Sequence, residues 1–262
     1  MNSFETCVDI LTRGERHRVW SLIVTVFGDL AQGTDDRISM QALTQITEPI
    51  GVKPEALRVA LHRLKKEGWI DSIRRGRSSL YRLTDFGREQ STAAAPRIYR
   101  DTPLSGWNWH VVLASSTSVS SQREIEDIVL RCETVQLSGN AILADIGTLD
   151  IPKHVLCTPL KAEQIPAWVR SAILNEDFMA SYKSLFQTFS NLEGNLPPSP
   201  GGTEAATLRT LIVHSWRRVL LRHPDVPDFL LPKNSQLPEC RALFSALLNQ
   251  LPKPTLEDLE TD

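Results

Sequence analysis

The chain has 262 residues, of which 41% are hydrophobic and 23% are charged, and its formal net charge at pH 7 is −2. A chain of this length suits two or three domains. The composition is that of an ordinary soluble globular protein, which argues against a disordered chain.

The cysteines and the N-terminus argue against further classes. The four cysteines are far apart and none forms a Cys-x-x-Cys pair, so neither a zinc site nor a disulfide framework is indicated. The first residues lack the basic and apolar regions of a signal peptide. The longest apolar run, near Val19–Phe27, is far shorter than a membrane span. We therefore expect a cytoplasmic protein with no membrane partner.

The first fifty residues are predicted to be mostly helical. Residues 1–12 form a short helix or a loose end, and Arg13–Ala31 follows as a long helix whose apolar residues recur at helical spacing. A polar loop comes next. Ser39 then suits the N-cap of a helix over about Met40–Pro49.

A helix, a strand, a basic turn and a second strand are predicted over residues 51–84. The helix Pro54–Glu67 begins with a residue suited to the first turn and ends at Gly68. One of its faces is apolar and carries Leu57, Ala60, Leu61 and Leu64. Trp69–Ile73 and Leu80–Leu83 are the two strands. This order predicts a winged helix-turn-helix in which Trp69 packs on the leucine face.

The outward face of the Pro54–Glu67 helix is basic, as a helix in the major groove of DNA requires. Residues 51–90 hold 10 Lys and Arg against 5 Asp and Glu, whereas residues 91–262 hold 15 against 19. We predict duplex binding, with Arg58 and His62 reading base edges and the arginines of the turn contacting the backbone or minor groove. The predicted DNA-binding residues are Lys53, Arg58, His62, Arg63, Lys66, Arg75 and Arg77. The alternative is a solvated basic helix beside a polar hairpin.

The change in charge predicts a domain boundary near residue 90. The elements predicted beyond it are strand Trp107–Ala114, helix Gln122–Glu133, strands Ala141–Ile146 and His154–Cys157, and helix Ala162–Ile173. This order is typical of a small ferredoxin-like α+β domain, which we place at residues 97–174. Trp107 and Trp109 share one face of the first strand, either as the wall of a ligand pocket or as the core of the sheet.

The remaining part is predicted to be a helical domain over residues 175–252, followed by an acidic tail, 253–262, that we expect to be disordered. His214, Trp216 and Arg217 lie on one of its helices. They are either a packed helix with a tryptophan in the core, or a ligand site in which His and Arg bind a phosphate or thioester carbonyl. The predicted fold class is α+β, with residues 1–90 as the N-terminal domain.

Several runs of residues carry a family resemblance. They are residues 21–29, 57–64, 67–69, 76–84 and 213–232, the last including the His214-x-Trp216-Arg217 motif. These runs resemble the PaaX family of phenylacetic-acid-catabolism repressors. The family's Gly-Phe-Gly turn is replaced by Gln136–Asn140, and its Trp-Pro-Gly turn by Lys233–Pro238.

The resemblance implies a repressor of an aromatic-acid degradation operon, with a ferredoxin-like middle domain and an acyl-CoA effector, phenylacetyl-CoA being the leading case. The phosphates of CoA require several Arg or Lys groups. The candidate effector-binding residues are Trp107, Trp109, Arg123, His214, Trp216 and Arg217. Because one recognition helix covers few base pairs, we expect a homodimer on a two-fold operator.

No catalytic motif is present, since GxSxG, Walker, GxGxxG and HExxH patterns are all missing. We therefore predict no enzyme, no cofactor and no metal site. Three alternatives stay open: a regulator of the same family with a different metabolite, an assembly protein whose basic helix contacts proteins, and a nucleic-acid-processing protein. The third requires a carboxylate at the end of the first ferredoxin-like strand, and Trp107–Ala114 has none.

Overall fold

The computed structural model describes residues 3–14, 17–75, 78–104, 108–147, 149–150, 152–161 and 165–261. In this part of the chain the protein is α+β, and its strands form two antiparallel sheets. Two compact units are present. Unit 1 comprises Met1–Asp101, Ser184–Arg218 and Glu239–Asp262, and unit 2 comprises Thr102–Lys183 and Val219–Pro238. Unit 1 thus combines the expected N-terminal domain with much of the expected C-terminal domain.

The N-terminal segment of unit 1 contains helices and one small sheet. The elements are α1 (Ser3–Thr12), α2 (Val19–Leu30), β1 (Ile38–Ser39), α3 (Met40–Thr47), α4 (Pro54–Lys66), β2 (Ile70–Arg75), β3 (Ser78–Leu83) and α5 (Asp85–Ile98). The helix predicted from Arg13 begins only at Val19, because Gly14 takes a φ of 73° and Arg18 is extended. The predicted N-cap is confirmed, since Ser39 Oγ accepts a hydrogen bond from the Ala42 amide.

The sheet of unit 1 has the order β1-β3-β2 and is antiparallel throughout. Its core is formed with α2, α3 and α4, whose residues Phe27, Leu43, Leu57 and Leu64 are fully buried. Trp69 is half-buried against this core and meets the Phe86 ring edge-on, with ring centroids 5.6 Å apart. This burial is the packing expected of Trp69 from the sequence.

The entry into α5 is closely packed against the beginning of β2. Thr84 caps α5 by accepting a hydrogen bond from the Gly87 amide at 3.1 Å, and the Thr84 amide donates to the Trp69 carbonyl. A Cβ atom at Gly87 would lie 2.1 Å from that carbonyl oxygen. Only glycine fits this close approach, so α5 fixes the base of the β2–β3 hairpin.

Later segments of the chain complete the core of unit 1. They contain α8 (Glu176–Leu192), α9 (Gly202–Leu220), α10 (Leu237–Gln250) and α11 (Asp258–Thr261), of which α8, α9 and α10 extend across a unit border. The Thr207 hydroxyl on α9 donates to the carbonyl of Ile46 on α3 at 3.0 Å. The expectation of a disordered acidic tail is wrong for residues 253–261. Two leucines of this segment find apolar partners, and one of them, Leu259, is 1% exposed in the same core. In addition, the Ser39 amide donates a hydrogen bond to the Glu260 carboxylate.

Unit 2 is built on a four-stranded sheet. Its main elements are β4 (Trp109–Ala114), α6 (Val119–Arg131), β5 (Thr134–Ser138), β6 (Ala141–Asp145), β7 (Val155–Pro159) and α7 (Ala167–Ile173). The strand order is β5-β6-β4-β7, and all neighbours are antiparallel. The sequence missed β5, which is an edge strand. Ile125 and Ile128 of α6 pack on the face of the sheet that carries Val112. Trp109 is buried on the opposite face, since strand residues alternate.

No helix in the described ranges is both long and apolar enough to cross a membrane.

Candidate nucleic-acid interface

Helix α4 divides cleanly into a buried and an exposed face. Leu57, Ala60, Leu61 and Leu64 are at most 5% exposed. The predicted DNA-binding residues on and before the helix are all exposed: Lys53, Arg58, His62, Arg63 and Lys66. The sequence therefore predicted the accessibility of this basic face correctly.

The face has a centre line and two flanks. At 100° per residue, Glu55, Val59, His62 and Lys66 lie directly opposite the leucine face. Arg58 and Arg63 lie about 70° to either side of that line. Val59 is 69% exposed although it is apolar and surrounded by charged residues. In a groove the centre line would lie deepest, with Arg58 and Arg63 on either side of it.

Glu55 and Val59 were missed as candidate DNA-contacting residues. A glutamate can accept a hydrogen bond from the cytosine amino group, and a valine can contact a thymine methyl. The signal was present in the sequence, because an apolar β-branched residue opposite the leucine face has no partner within its own helix.

The charged groups of this face make weak, solvated contacts. Arg58 lies 3.8 Å from the Glu55 carboxylate, and both side chains are at least 66% exposed. Arg63 is held more firmly, since it donates to Glu67 at 2.7 Å and lies 5.0 Å from the centroid of the Trp20 ring. Exposed ion pairs contribute at most about 1 kcal/mol, so Arg58 can exchange its partner at small cost.

The hairpin next to α4 carries further arginines. Arg74 on β2 is exposed. Arg75 lies at the end of β2, where its backbone pairs with Ser78, and its side chain lies outside the described residues. Arg77 also lies outside them. The predicted contacts of Arg75 and Arg77 with DNA remain predictions.

Three candidate effector residues lie on α9 in unit 1 and have protein partners. The Trp216 indole donates to the Ile98 carbonyl at 2.8 Å and stacks on Phe244, with ring centroids 5.3 Å apart. Arg217 donates to the Thr25 hydroxyl at 2.9 Å. His214 Nδ1 lies 3.2 Å from the same hydroxyl. These contacts favour the packed-helix alternative over a ligand site.

The other effector candidates belong to unit 2. Trp109 is 1% exposed, and its Nε1 atom has no hydrogen-bond partner among the described residues. Arg123 is exposed on α6. Trp107 lies outside the described residues. The described effector candidates are therefore divided between the two units, with His214, Trp216 and Arg217 in unit 1 and Trp109 and Arg123 in unit 2. In the described ranges, no three His, Cys, Asp or Glu side chains are grouped as metal ligands.

His214 has an unusual electrostatic environment. Burial, and to a smaller extent the charges of His17, Arg217 and Arg218, together lower its pKa from 6.5 to about 3. The imidazole is therefore neutral in the folded protein at neutral pH. As the pH falls, the unfolded chain binds this proton first, so the stability contribution is complete above pH 6.5 and is lost toward pH 3.

We expect His214→Gln to flatten the pH dependence of stability. Between about pH 7 and about pH 5, the wild type should lose about 2 kcal/mol more unfolding free energy than the variant, because only its unfolded state gains the His214 proton. Urea unfolding at both pH values measures this difference, and carboxylates titrating in both proteins cancel. Equal losses would show that folding does not change the pKa of His214.

Three comparisons place these features among known proteins. A family model described as "PaaX-like protein" matches residues 18–87, and one described as "PaaX-like protein C-terminal domain" matches residues 175–260. Together they span more than half of the chain. The chain is also 27% identical over 236 residues to "Transcriptional repressor PaaX" of Escherichia coli (strain K12), covering 81% of this chain and 73% of that protein.

Among solved structures, "Uncharacterized protein Rv0674 from Mycobacterium tuberculosis" is similar with a TM-score of 0.52 and 18% sequence identity. The similarity covers 92% of this chain and 96% of that chain. At this identity the comparison shows a shared fold.

Proposed function

Because this chain belongs to the PaaX-like family of transcriptional repressors, and so is a regulator rather than an enzyme, we propose that it binds operator DNA through a winged helix-turn-helix. In this proposal α3 and α4 are the two helices and the β2–β3 hairpin is the wing. The observation that carries it is the exposed basic face of α4 above a fully buried row of leucines. Such a helix fits the major groove, where base edges are read.

We further propose that residues 97–174 are a ferredoxin-like domain and that residues 175–252 are a helical effector and dimerisation domain. The antiparallel order β5-β6-β4-β7, with α6 on one face, supports the first assignment. The borders at residues 90, 174 and 252 belong to this functional proposal and differ from those of the two compact units, which divide residues 175–252 between them.

We propose that the protein acts in the cytoplasm and dissociates from an aromatic-acid degradation operon when an acyl-CoA binds to it. Phenylacetyl-CoA is the first effector to test. The family resemblance supports this proposal. Among the candidate effector residues, Trp109 is the best supported, because its buried indole N–H lacks a protein acceptor in the described part. An acyl thioester with an aromatic group would offer both an acceptor and an apolar surface.

A thermal-shift and DNA-release experiment tests the effector. Phenylacetyl-CoA should raise the melting temperature and weaken duplex binding, because a ligand of the folded state stabilises it. Free CoA and acetyl-CoA are the controls for the nucleotide part. A shift with another acyl-CoA alone would assign a different metabolite, and no shift with any acyl-CoA would remove this class of effector.

The salt dependence of duplex binding tests the DNA interface. Arg75→Gln and Arg77→Gln should each weaken binding to all sequences and reduce the slope of log K against log salt by roughly 0.9, one phosphate contact each. Lys161→Gln, an exposed change in unit 2, is the matched control. Unchanged slopes in both wing variants would exclude the wing from the interface, and no binding to duplex DNA at any salt would refute the proposed function.

Specificity is expected to depend on Arg58. Arg58→Ala should lose roughly 1–3 kcal/mol of binding energy on the operator and little on random DNA, because a bidentate arginine–guanine contact is sequence-specific. Competition footprinting on operator and scrambled duplexes measures both losses. Arg13→Ala, at a side chain that is 75% exposed just after α1, is the control. Equal losses on both duplexes would make Arg58 a phosphate contact.

We also propose that the protein binds its operator as a homodimer. One recognition helix contacts too few base pairs to define a site in a genome, and two-fold symmetry doubles the readout without new residues. A footprint with two equivalent half-sites is expected. Protection of one unrepeated half-site would contradict the dimer.

A further inference from the structure

Helix α6 of unit 2 has an exposed face with an unusual order of residues. Its inner face is formed by Ser121, Ile125 and Ile128, which are buried toward the sheet. The opposite line contains Val119, Arg123, Glu126 and Leu130, all of them exposed. The exposed fractions are 67% for Val119 and 85% for Leu130, and the neighbouring Val129 is 44% exposed. This line, which we call the α6 outer face, has an apolar residue at each end and opposite charges between them.

The spacing between the residues of the α6 outer face is the same in both directions along the helix. Its residues are separated by four, three and four positions, so reversing the helix leaves the spacing unchanged. If a second α6 lies antiparallel across a two-fold axis, Val119 faces the other copy's Leu130 and Arg123 faces the other copy's Glu126. Because the rise per residue is the same in both helices, all four contacts, two apolar and two ionic, can form at the same time.

We propose that the α6 outer face is a dimer contact whose partner is α6 of a second copy of this chain. This inference rests on the proposed homodimer and places one of its contacts in residues 97–174, in addition to any contact made by the dimerisation domain proposed at residues 175–252. The charge order favours a second copy over other partners. DNA or an anionic membrane would require a basic face, whereas this face has one basic and one acidic residue in positions that complement themselves.

The contact accounts for the exposed positions of Leu130 and Arg123, which the packing of unit 2 alone does not explain. Leu130 projects away from its own core, and burying it against a valine removes apolar area from water twice per dimer. Arg123, a candidate for CoA phosphates by sequence, takes an ion-pair role here. A single helix pair buries less surface than a standard interface, so the dimer forms weakly in solution and is strengthened by a two-fold operator.

A charge-reversal experiment on the full chain tests the contact. Arg123→Glu places two like-charged pairs across the axis, and Glu126→Arg does the same with the opposite sign. Each should weaken dimerisation by about tenfold or more at low ionic strength, because juxtaposed like charges oppose association. Sedimentation equilibrium in the absence of DNA measures this, and circular dichroism with thermal melting verifies that each variant folds.

Two rescues make the test specific. The double variant Arg123→Glu/Glu126→Arg restores both pairs and should dimerise within about threefold of the wild type. Mixing the two single variants should produce a heterodimer, since each chain then supplies the charges that the other lacks. A structural effect of either substitution predicts no rescue in the mixture. Lys161→Glu, an exposed reversal outside α6, is the control and should leave the dimer unchanged.

The outcomes separate this inference from the proposed function. Weakened single variants that are rescued by mixing support the α6 contact. Single variants that dimerise like the wild type overturn it and leave a dimer through another surface. A wild type that is monomeric both free and on a two-fold operator overturns the contact and the homodimer together, while DNA binding itself is judged by the salt dependence of duplex binding.

Discussion

Replacing Arg209 by Met should lower the free energy of unfolding by about 3–5 kcal/mol, because it leaves a buried carboxylate without its cation. Arg209 on α9 donates through Nε and Nη2 to both oxygens of Asp29 on α2, at 2.9 Å each, and through Nη1 to the Leu251 carbonyl at 2.6 Å. Tyr99 donates to the same Asp29 at 2.8 Å. The Asp29 side chain is only 2% exposed, so water cannot replace the lost partner.

The matched control is Arg131→Met, which removes an exposed ion pair with Asp127 of the same 2.9 Å length. That pair should contribute at most about 1 kcal/mol. The double variant Asp29→Leu/Arg209→Met should be more stable than Arg209→Met alone, because no buried charge remains. Urea unfolding of the four proteins measures these differences. Equal effects of Arg209→Met and Arg131→Met would mean that Asp29 is solvated in solution.

Trp216→Ala should cost a similar amount, about 3–5 kcal/mol, since it empties a fully buried site. The indole is 1% exposed, stacks on Phe244 and donates to the Ile98 carbonyl. Trp216→Phe retains an aromatic ring but loses the hydrogen bond and part of the ring volume, so its cost should be smaller, about 1–3 kcal/mol. Thermal and urea unfolding of both variants measures the two costs.

Trp216 variants also decide between the two interpretations of α9. A core tryptophan predicts that Trp216→Phe loses stability while its affinity for an acyl-CoA, measured by calorimetry, stays within about twofold of the wild type. An effector contact predicts the reverse, with lower affinity and little change in melting temperature. The second result would return Trp216 to the list of effector-binding residues.

The parts of the fold that depend on neighbouring residues could be predicted from the sequence. Ser39, Pro54 and Gly68 fix the ends of α3 and α4 through interactions within a few positions. The exposed face of α4 followed from the same periodicity. Strand β5 was missed because Gln136–Asn140 was assigned to a turn, although polar and apolar residues alternate along Thr134–Ser138.

The burial of α9 could not be predicted, because it depends on residues far away in the chain. Asp29 and Arg209 are 180 positions apart, and Thr25 and His214 are 189 apart. No local pattern distinguishes a histidine that will meet a threonine on α2 from one that will line a pocket. The acidic tail gave the wrong signal for a related reason: its composition is that of a disordered segment, whereas Leu259 is buried by distant partners.

The composition of unit 1 from three separate segments has a consequence for synthesis of the protein. The segment with α2, α3 and α4 leaves the ribosome first, but its core contains Ala206 and Leu259 from the later segments. At typical rates of translation, residues 102–261 require roughly ten to thirty seconds. During that time the apolar surface that will meet α9 and α11 is exposed on the nascent chain. The fold of unit 1 is therefore completed only after translation of residues 239–261, and truncated chains are expected to need chaperones.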